Sequence, residues 1–104
     1  MRELLQELEQ ALTDLLQMGF ATAGPEMAVR LEELSRKCED TGLHTGSTLF
    51  SELSGAISER SHSIQKSDQR AAEAMFRAQR YITLCQMRLT EEDIRLRWQE
   101  GGQS

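Results

Sequence analysis

The chain has 104 residues, 38% of them hydrophobic and only 5% aromatic, with a net charge of -5 and a pI near 5.0. A chain of this length forms one ordinary domain with its own core. The acidic balance argues against a nucleic-acid partner, because non-specific binding depends on Lys and Arg side chains that neutralise phosphates. No apolar run approaches the roughly 20 residues of a membrane-spanning helix, which argues against a membrane partner. A single Pro and abundant Leu, Glu, Gln, Arg and Ala favour an all-α fold.

The N-terminal residues MRELLQELEQ place acidic side chains inside the apolar pattern, which is not the composition of a signal peptide. Cys38 and Cys85 cannot define a disulfide framework in a chain with its own core, so we expect two buried free thiols. These features predict a cytoplasmic protein. Residues 1–100 form the single predicted domain, and residues 101–104 (GGQS) form a predicted disordered tail.

The first predicted helix spans Arg2 to Met18 and carries an apolar stripe on one side and acidic residues on the other. The stripe consists of Leu4, Leu5, Leu8, Leu12, Leu15 and Leu16. Gly19 ends the helix. Phe20 follows in the connection, where we expect it to cover the end of a helical bundle. An exposed Phe20 would instead belong to a partner-contact surface.

Gly24 and Pro25 predict the start of the second helix, because Pro at the first helical position loses no hydrogen bond and already has a suitable φ. This helix runs to about Asp40, and Gly42 suits the left-handed position after a helix end. The apolar seam consists of Met27, Leu31, Leu34 and Cys38.

Residues 42–47 (GLHTGS) form a predicted turn, and the third helix follows to about Ser61. Its main seam consists of Phe50, Leu53 and Ile57. Gly55 costs roughly 1 kcal/mol relative to Ala in a helix interior, which indicates either close packing or a locally weaker helix. The polar residues 61–67 (SHSIQKS) form the next connection, and Ser67 can cap the fourth helix.

The stretch from Ser67 to Leu89 is the central helix of the prediction. Its seam repeats at steps of four and three, which keeps one side of a helix facing its neighbours. The seam consists of Ala71, Met75, Ala78, Ile82, Cys85 and Leu89. A second row beside it consists of Ala72, Phe76, Thr83 and Met87. Because so much of the circumference is apolar, we expect several other helices to surround this one.

Charge is distributed unevenly along the chain. Residues 1–52 carry ten acidic and four basic side chains, whereas residues 53–104 carry seven acidic and eight basic ones. We expect the arginines of the central helix near carboxylates of the first two helices; these arginines are Arg70, Arg77, Arg80 and Arg88. The alternative is an acidic docking surface that binds a basic partner.

Thr90 and Asp93 resemble a capping box, with Asp in place of the usual Glu, and predict a separate short helix over residues 90–100. Ile94 and Trp98 share one side of this helix. The helix either folds back on the bundle or uses Trp98 to anchor the segment in a partner.

The sequence contains no recognisable catalytic, metal or cofactor motif. His44 and His62 lie in predicted connections, and neither C-x-x-C nor H-x-x-x-H occurs. G-x-S-x-G and P-loop patterns are also absent from the sequence. We therefore expect neither an enzyme nor a bound cofactor. The methionines are expected in the core, or alternatively around a ligand pocket.

Three stretches resemble the helical region of bacterial SWIM zinc-finger family proteins: LxxLLxxGFA at Leu12–Ala21, RLEELSRKCEDTGLH at Arg30–His44, and AQRYITL at Ala78–Leu84. The resemblance covers most of residues 4–84 and implies a leading helix, a second helix and two further helices. The zinc-binding signature of that family, C-x-C followed by C-x-H, is absent here. The resemblance therefore implies only the accompanying helical part, and no zinc ligand or nucleic-acid role can be carried over from that family to this chain.

Together these patterns predict an up-and-down antiparallel four-helix bundle with a short extra C-terminal helix, because short connections favour antiparallel neighbours. The predicted function is a non-enzymatic module for protein–protein interaction or assembly, including self-association. Phe20, Ile94 and Trp98 are the candidate partner-contact residues. The alternative is a small-molecule-binding or sensory bundle with an apolar pocket between its helices, lined by Met, Phe and Tyr side chains.

Overall fold

The structure is a computed structural model that describes residues 1–62 and 68–101. Most of these residues lie in four α-helices. They are α1 (Arg2–Met18), α2 (Pro25–Asp40), α3 (His44–His62) and α4 (Gln69–Gly101). No strand occurs in the described ranges, which confirms the predicted all-α class. α1 packs against α2 and α4, and α3 packs against the same two helices.

The bounds of the first two helices are those predicted from glycine and proline. Gly19 follows α1 with a φ of 82°, a left-handed conformation that Gly adopts without steric cost. Its N–H donates to the carbonyl oxygen of Leu15 at 2.8 Å. Pro25 is the first residue of α2, and Gly24 precedes it in an extended conformation.

The turn between α2 and α3 is shorter than predicted. Gly42 has a φ of 86°, and the N–H of Leu43 donates to the carbonyl oxygen of Cys38 at 2.8 Å. This hydrogen-bond pattern terminates α2, and only Gly42 and Leu43 separate Thr41 from the next helix. α3 therefore begins at His44, and the prediction that the turn includes residues 44–47 is wrong.

The core receives apolar side chains from all four helices. The largest side chains with almost no exposure are Phe50, Leu8, Leu15, Leu31, Leu53, Ile57 and Cys38. Two buried hydroxyl groups also join α2 to α3. Ser35 Oγ donates to the carbonyl oxygen of Ser47, and Ser54 Oγ donates to that of Ala28, both at 2.7 Å. Because each hydroxyl has an acceptor, neither is buried without a hydrogen bond.

One side of α4 is buried and the other is exposed. We call the buried side the inner seam; it consists of Ala71, Met75, Ala78, Ile82, Cys85 and Leu89. The first four are buried and the last two are half-buried. The predicted second row, Ala72, Phe76, Thr83 and Met87, is exposed. The prediction that α4 is surrounded is wrong, because only α1 and α3 pack against it within the described residues.

α4 continues without a break from Gln69 to Gly101, so the prediction of a separate helix that begins at Thr90 is wrong. The Thr90 hydroxyl donates to the carbonyl oxygen of Gln86 at 3.0 Å, inside the helix, instead of capping a new N-terminus. At a rise of 1.5 Å per residue, the helix is about 50 Å long. It dominates the elongated shape, which measures 65 × 23 × 17 Å. No helix in the described ranges combines the length and apolar character needed to cross a membrane.

Three predictions fall wholly or partly outside the described residues. Residues 63–67 of the predicted connection over 61–67 lie outside them, and α3 ends at His62. Ser67, the predicted cap of the fourth helix, lies outside them, and α4 begins at Gln69. Residues 102–104 of the predicted tail also lie outside them, whereas Gly101 is the last residue of α4.

The two glycines of α3 have opposite surroundings. A Cβ atom at Gly46 would lie 2.8 Å from Tyr81 Cε1 and 3.3 Å from Cys38 Sγ, so α2, α3 and α4 approach each other closely there. Gly55 is exposed, and a Cβ atom there would meet nothing within 4 Å. Of the two interpretations of Gly55, the locally weaker helix fits the structure and close packing does not.

We predict that Gly46→Ala and Gly55→Ala change the free energy of unfolding in opposite directions. A methyl group at position 46 forces Tyr81 or Cys38 to move, and overpacking of this kind costs roughly 1–3 kcal/mol. At position 55 the same substitution should stabilise the helix by roughly 0.5–1 kcal/mol. Urea unfolding followed by circular dichroism measures both effects. Equal effects at the two positions would contradict the close approach at Gly46.

Candidate functional site

The exposed side of α4 forms a continuous row opposite the inner seam. We call this row the outer face of α4; it consists of Glu73, Arg77, Arg80, Leu84, Met87, Glu91, Ile94 and Trp98. The steps between its members alternate between four and three, so the row stays on one side of the helix. Every member is exposed. The apolar members are about half exposed or more, Trp98 is 77% exposed, and Phe76 lies beside the row.

The C-terminal end of α4 extends past the start of α1. Arg2, the first residue of α1, forms an ion pair with Asp93 of α4, and its Nη2 lies 2.5 Å from Asp93 Oδ2. Leu96 lies beyond this level on the continuation of the inner seam, and its side chain is 54% exposed. Trp98 follows, more exposed still. The last turns of α4 therefore present apolar side chains that no described helix covers.

The three predicted contact residues do not form one surface. Ile94 and Trp98 lie together on the outer face of α4, and neither folds back into the core. Phe20 is half-buried and packs against the core just after α1, at the end opposite Arg2. The interpretation of Phe20 as a cover over the end of the helices fits this position.

Six outer-face residues are not among the predicted contacts: Glu73, Arg77, Arg80, Leu84, Met87 and Glu91. The signal that identifies them is the alternation of four and three, continued through Thr90 into the last turns of the chain. A predicted helix break at Thr90 separates Glu91, Ile94 and Trp98 from the earlier members of the row. The uninterrupted α4 places all six on the same side as Ile94 and Trp98.

Two arginines of α4 form ion pairs with α3. Arg77 Nη1 lies 3.4 Å from Glu52 Oε2, and Arg70 pairs with Glu59. The prediction that the partners of these arginines lie on the first two helices is wrong, because α3 is the neighbour on that side. Arg80 and Glu91 form no ion pair or hydrogen bond with the residues that the structure describes.

The described residues do not assemble a group with obvious chemical reactivity. Among them, no three His, Cys, Asp or Glu side chains lie where they could hold a metal ion. His44 is exposed, and its hydrogen bond to Glu39, at 2.9 Å, lowers the pKa of that carboxyl group. The hydrogen bond from Arg30 to Asp14, at 2.7 Å, lowers the pKa of Asp14 in the same way. These are separate pairs of side chains and do not converge on a common point.

A cleft with a volume of about 440 Å³ lies between α4 and the turn that precedes α3. Tyr81, Cys85 and Arg88 of α4 form one wall, and Leu43 and His44 lie on the other side. Burial raises the pKa of Tyr81 to about 12, and the neighbouring Cys85 adds to this shift. The Tyr81 side chain is therefore neutral at physiological pH and offers the cleft a ring and a hydroxyl group.

Both cysteines are free thiols, as predicted, although only Cys38 is fully buried and Cys85 is half-buried. Burial raises the pKa of Cys38 to about 11, and the nearby Cys85 is the second cause. The thiolate is the reactive form of cysteine. Cys38 is therefore almost entirely protonated and unreactive at neutral pH.

We predict that a thiol reagent such as DTNB modifies Cys85 in the folded chain and modifies Cys38 only after unfolding. The reason is that Cys38 is both shielded from the reagent and held in its neutral form. Absorbance titration of the wild type and of Cys85→Ser, with and without urea, measures the reactive thiols. Rapid modification of the folded Cys85→Ser variant would contradict the burial of Cys38.

No protein-family model, curated protein or solved structure matches this chain. The resemblance to the helical region of SWIM zinc-finger family proteins stays a prediction. Our functional proposals rest on two features of the described residues. They are the outer face of α4 and the cleft lined by Tyr81, Cys85 and Arg88.

Proposed function

We propose that this chain is a non-enzymatic protein-interaction or assembly module whose binding surface is the outer face of α4. Its scaffold is an up-and-down antiparallel four-helix bundle in which the last helix extends beyond the others. Each helix packs against two neighbours in the order α1, α2, α3, α4 and back to α1, and this order supports the bundle. The short connections before α2 and before α3 favour antiparallel neighbours.

The observation that carries the proposal is the exposure of large apolar side chains along one long helix. Exposed large apolar side chains that cluster on one surface mark interaction sites in soluble proteins, and Trp is enriched among the residues that dominate binding energy. Ile94 and Trp98 lie one turn apart on an end that the described helices leave uncovered. A partner protein that covers the row would bury these side chains without any change in the four-helix core.

The proposal places the module in the cytoplasm, with neither nucleic acid nor a membrane as its partner. The net charge of -5 supports the exclusion of nucleic acid, because phosphate binding depends on an excess of Lys and Arg. The free thiols Cys38 and Cys85 support a reducing compartment. The proposed surface excludes Phe20, which packs against the core at the other end of α1.

We predict that a photo-crosslinking residue at position 98 captures a partner from a cell extract. Benzoylphenylalanine in place of Trp98 should give a product of higher mass after irradiation, because the partner covers this position. Val29 provides the matched control, since it is also apolar and is 57% exposed but lies on α2. Mass spectrometry identifies the captured chain. Equal yields from positions 98 and 29, or no product from position 98, would contradict the proposal.

The cleft beside Tyr81 favours a second candidate function, the binding of a small molecule. Its volume of about 440 Å³ is within the range of ligand pockets, and Arg88 and Glu92 offer a positive and a negative charge at its wall. We predict that a bound metabolite raises the melting temperature of the wild type, because binding to the folded state stabilises it by mass action. Arg88→Ala should remove the shift, whereas Arg36→Ala on α2 should keep it. A metabolite panel without any shift would contradict this candidate.

A further inference from the structure

The outer face of α4 is arranged symmetrically about a point between Leu84 and Met87. Each of its positions has a counterpart at the same distance on the other side of this point. The pairs are Leu84 with Met87, Arg80 with Glu91, Arg77 with Ile94, and Glu73 with Trp98. In the pair of Arg80 with Glu91, both members are charged, and the charges are of opposite sign. The two central pairs, Leu84 with Met87 and Arg80 with Glu91, are therefore complementary when two copies lie antiparallel.

We infer that the partner of this face is a second copy of the chain, whose α4 packs antiparallel along the first. The inference rests on the proposed function and names the partner of the same surface. A two-fold axis passes between Leu84 and Met87, so Leu84 of each protomer packs against Met87 of the other. This arrangement is an isologous interface, in which both protomers contribute the same surface.

The charges select the antiparallel orientation over the parallel one. In the antiparallel pair, Arg80 of each protomer faces Glu91 of the other, which gives two ion pairs that flank the central apolar layer. A parallel pair in register would place Arg80 beside Arg80 and Glu91 beside Glu91, and like charges in an interface are unfavourable. Within the described part of its own chain neither side chain has an ion-pair partner, so pairing with a second copy breaks no described contact.

The outer layers of the interface cover the most exposed side chains. Trp98 of each protomer lies over Glu73 of the other, beside the ring of Phe76. Ile94 lies on the aliphatic part of Arg77, whose guanidinium group already pairs with Glu52 of its own chain at 3.4 Å. Long charged side chains commonly cover apolar surface in this way while their charged ends remain in water.

The size of the face indicates a reversible dimer. Positions 73 to 98 span about 38 Å, and a helix face is about 10 Å wide. The resulting strip, on the order of 400 Å² per protomer, is about half of the roughly 800 Å² in a standard interface. We therefore expect a weak, reversible dimer that dissociates on dilution.

Sedimentation equilibrium of the full chain and of four variants tests this inference. The wild type should sediment as a dimer at high concentration and dissociate on dilution. Arg80→Glu and Glu91→Arg should each weaken dimerisation by roughly tenfold or more, because each creates two like-charge pairs across the interface. The double variant should restore dimerisation, because it reverses both charges of each ion pair. Arg36→Glu on α2 makes the same change in net charge as Arg80→Glu and should dimerise like the wild type.

Circular dichroism of each variant checks that the fold is retained. A wild-type chain that is monomeric at every concentration would overturn the inference, as would a double variant no better than the single ones. Equal weakening by Arg80→Glu and Arg36→Glu would show that net charge alone is responsible and would overturn it as well. If the chain is monomeric but position 98 captures a different protein from the extract, self-pairing is wrong and the proposed function stands.

Discussion

Burial of the inner seam of α4 is the interaction on which the four-helix arrangement depends. α1 and α3 both pack against α4, and each of them also packs against α2. The seam therefore holds the last helix of the chain against the first and the third. Ala71 and Ala78 allow close approach of the helices, whereas Met75 and Ile82 supply apolar area. Complete burial of one side chain of the latter size contributes roughly 1.5–3 kcal/mol. The seam accordingly stabilises two interfaces at once.

The same constraint determines what α4 can offer to a partner. Two neighbouring helices cover one side of a helix and leave the opposite side in water. On α4 that opposite side carries Leu84, Met87, Ile94 and Trp98, with charged residues between them. The charged residues keep the row compatible with water in a single chain, and in the dimer that we infer they select the antiparallel orientation. An apolar row interrupted by charge in this manner is suited to reversible association.

Local signals in the sequence are sufficient for the bounds of α1 and α2 and for the inner seam. Gly19, Pro25 and Gly42 determine backbone conformations directly, so the bounds of α1 and α2 follow from them. The buried positions of α4 follow from the spacing of its apolar residues. Periodicity reports which residues share a side, but it does not report how many neighbours a helix has. The exposure of Phe76 and Met87 could therefore not be predicted.

Two further differences between the sequence-based prediction and the structure, at Thr90 and at Gly46, have physical reasons. Thr90 has the side chain of a helix cap, yet the same hydroxyl can donate to the carbonyl oxygen of Gln86 within a continuing helix, and only the structure distinguishes the two. Gly46 was assigned to a turn because Gly is common there. In the structure it belongs to α3, where the absence of a side chain makes room for Tyr81 and Cys38. Close approach between helices that are distant in sequence cannot be deduced from one glycine.

In the dimer that we infer, pairing of two chains covers the outer face of α4, which is open in a single chain. Trp98 is the only tryptophan, so tryptophan emission, excited selectively over that of Tyr81, reports on this face alone. The most direct measurement is the Trp emission maximum, with acrylamide quenching, over a dilution series from high micromolar to nanomolar protein. We expect a shielded, blue-shifted indole at high concentration that becomes exposed to water on dilution. An indole shielded at every concentration, or exposed at every concentration, would contradict the inferred dimer.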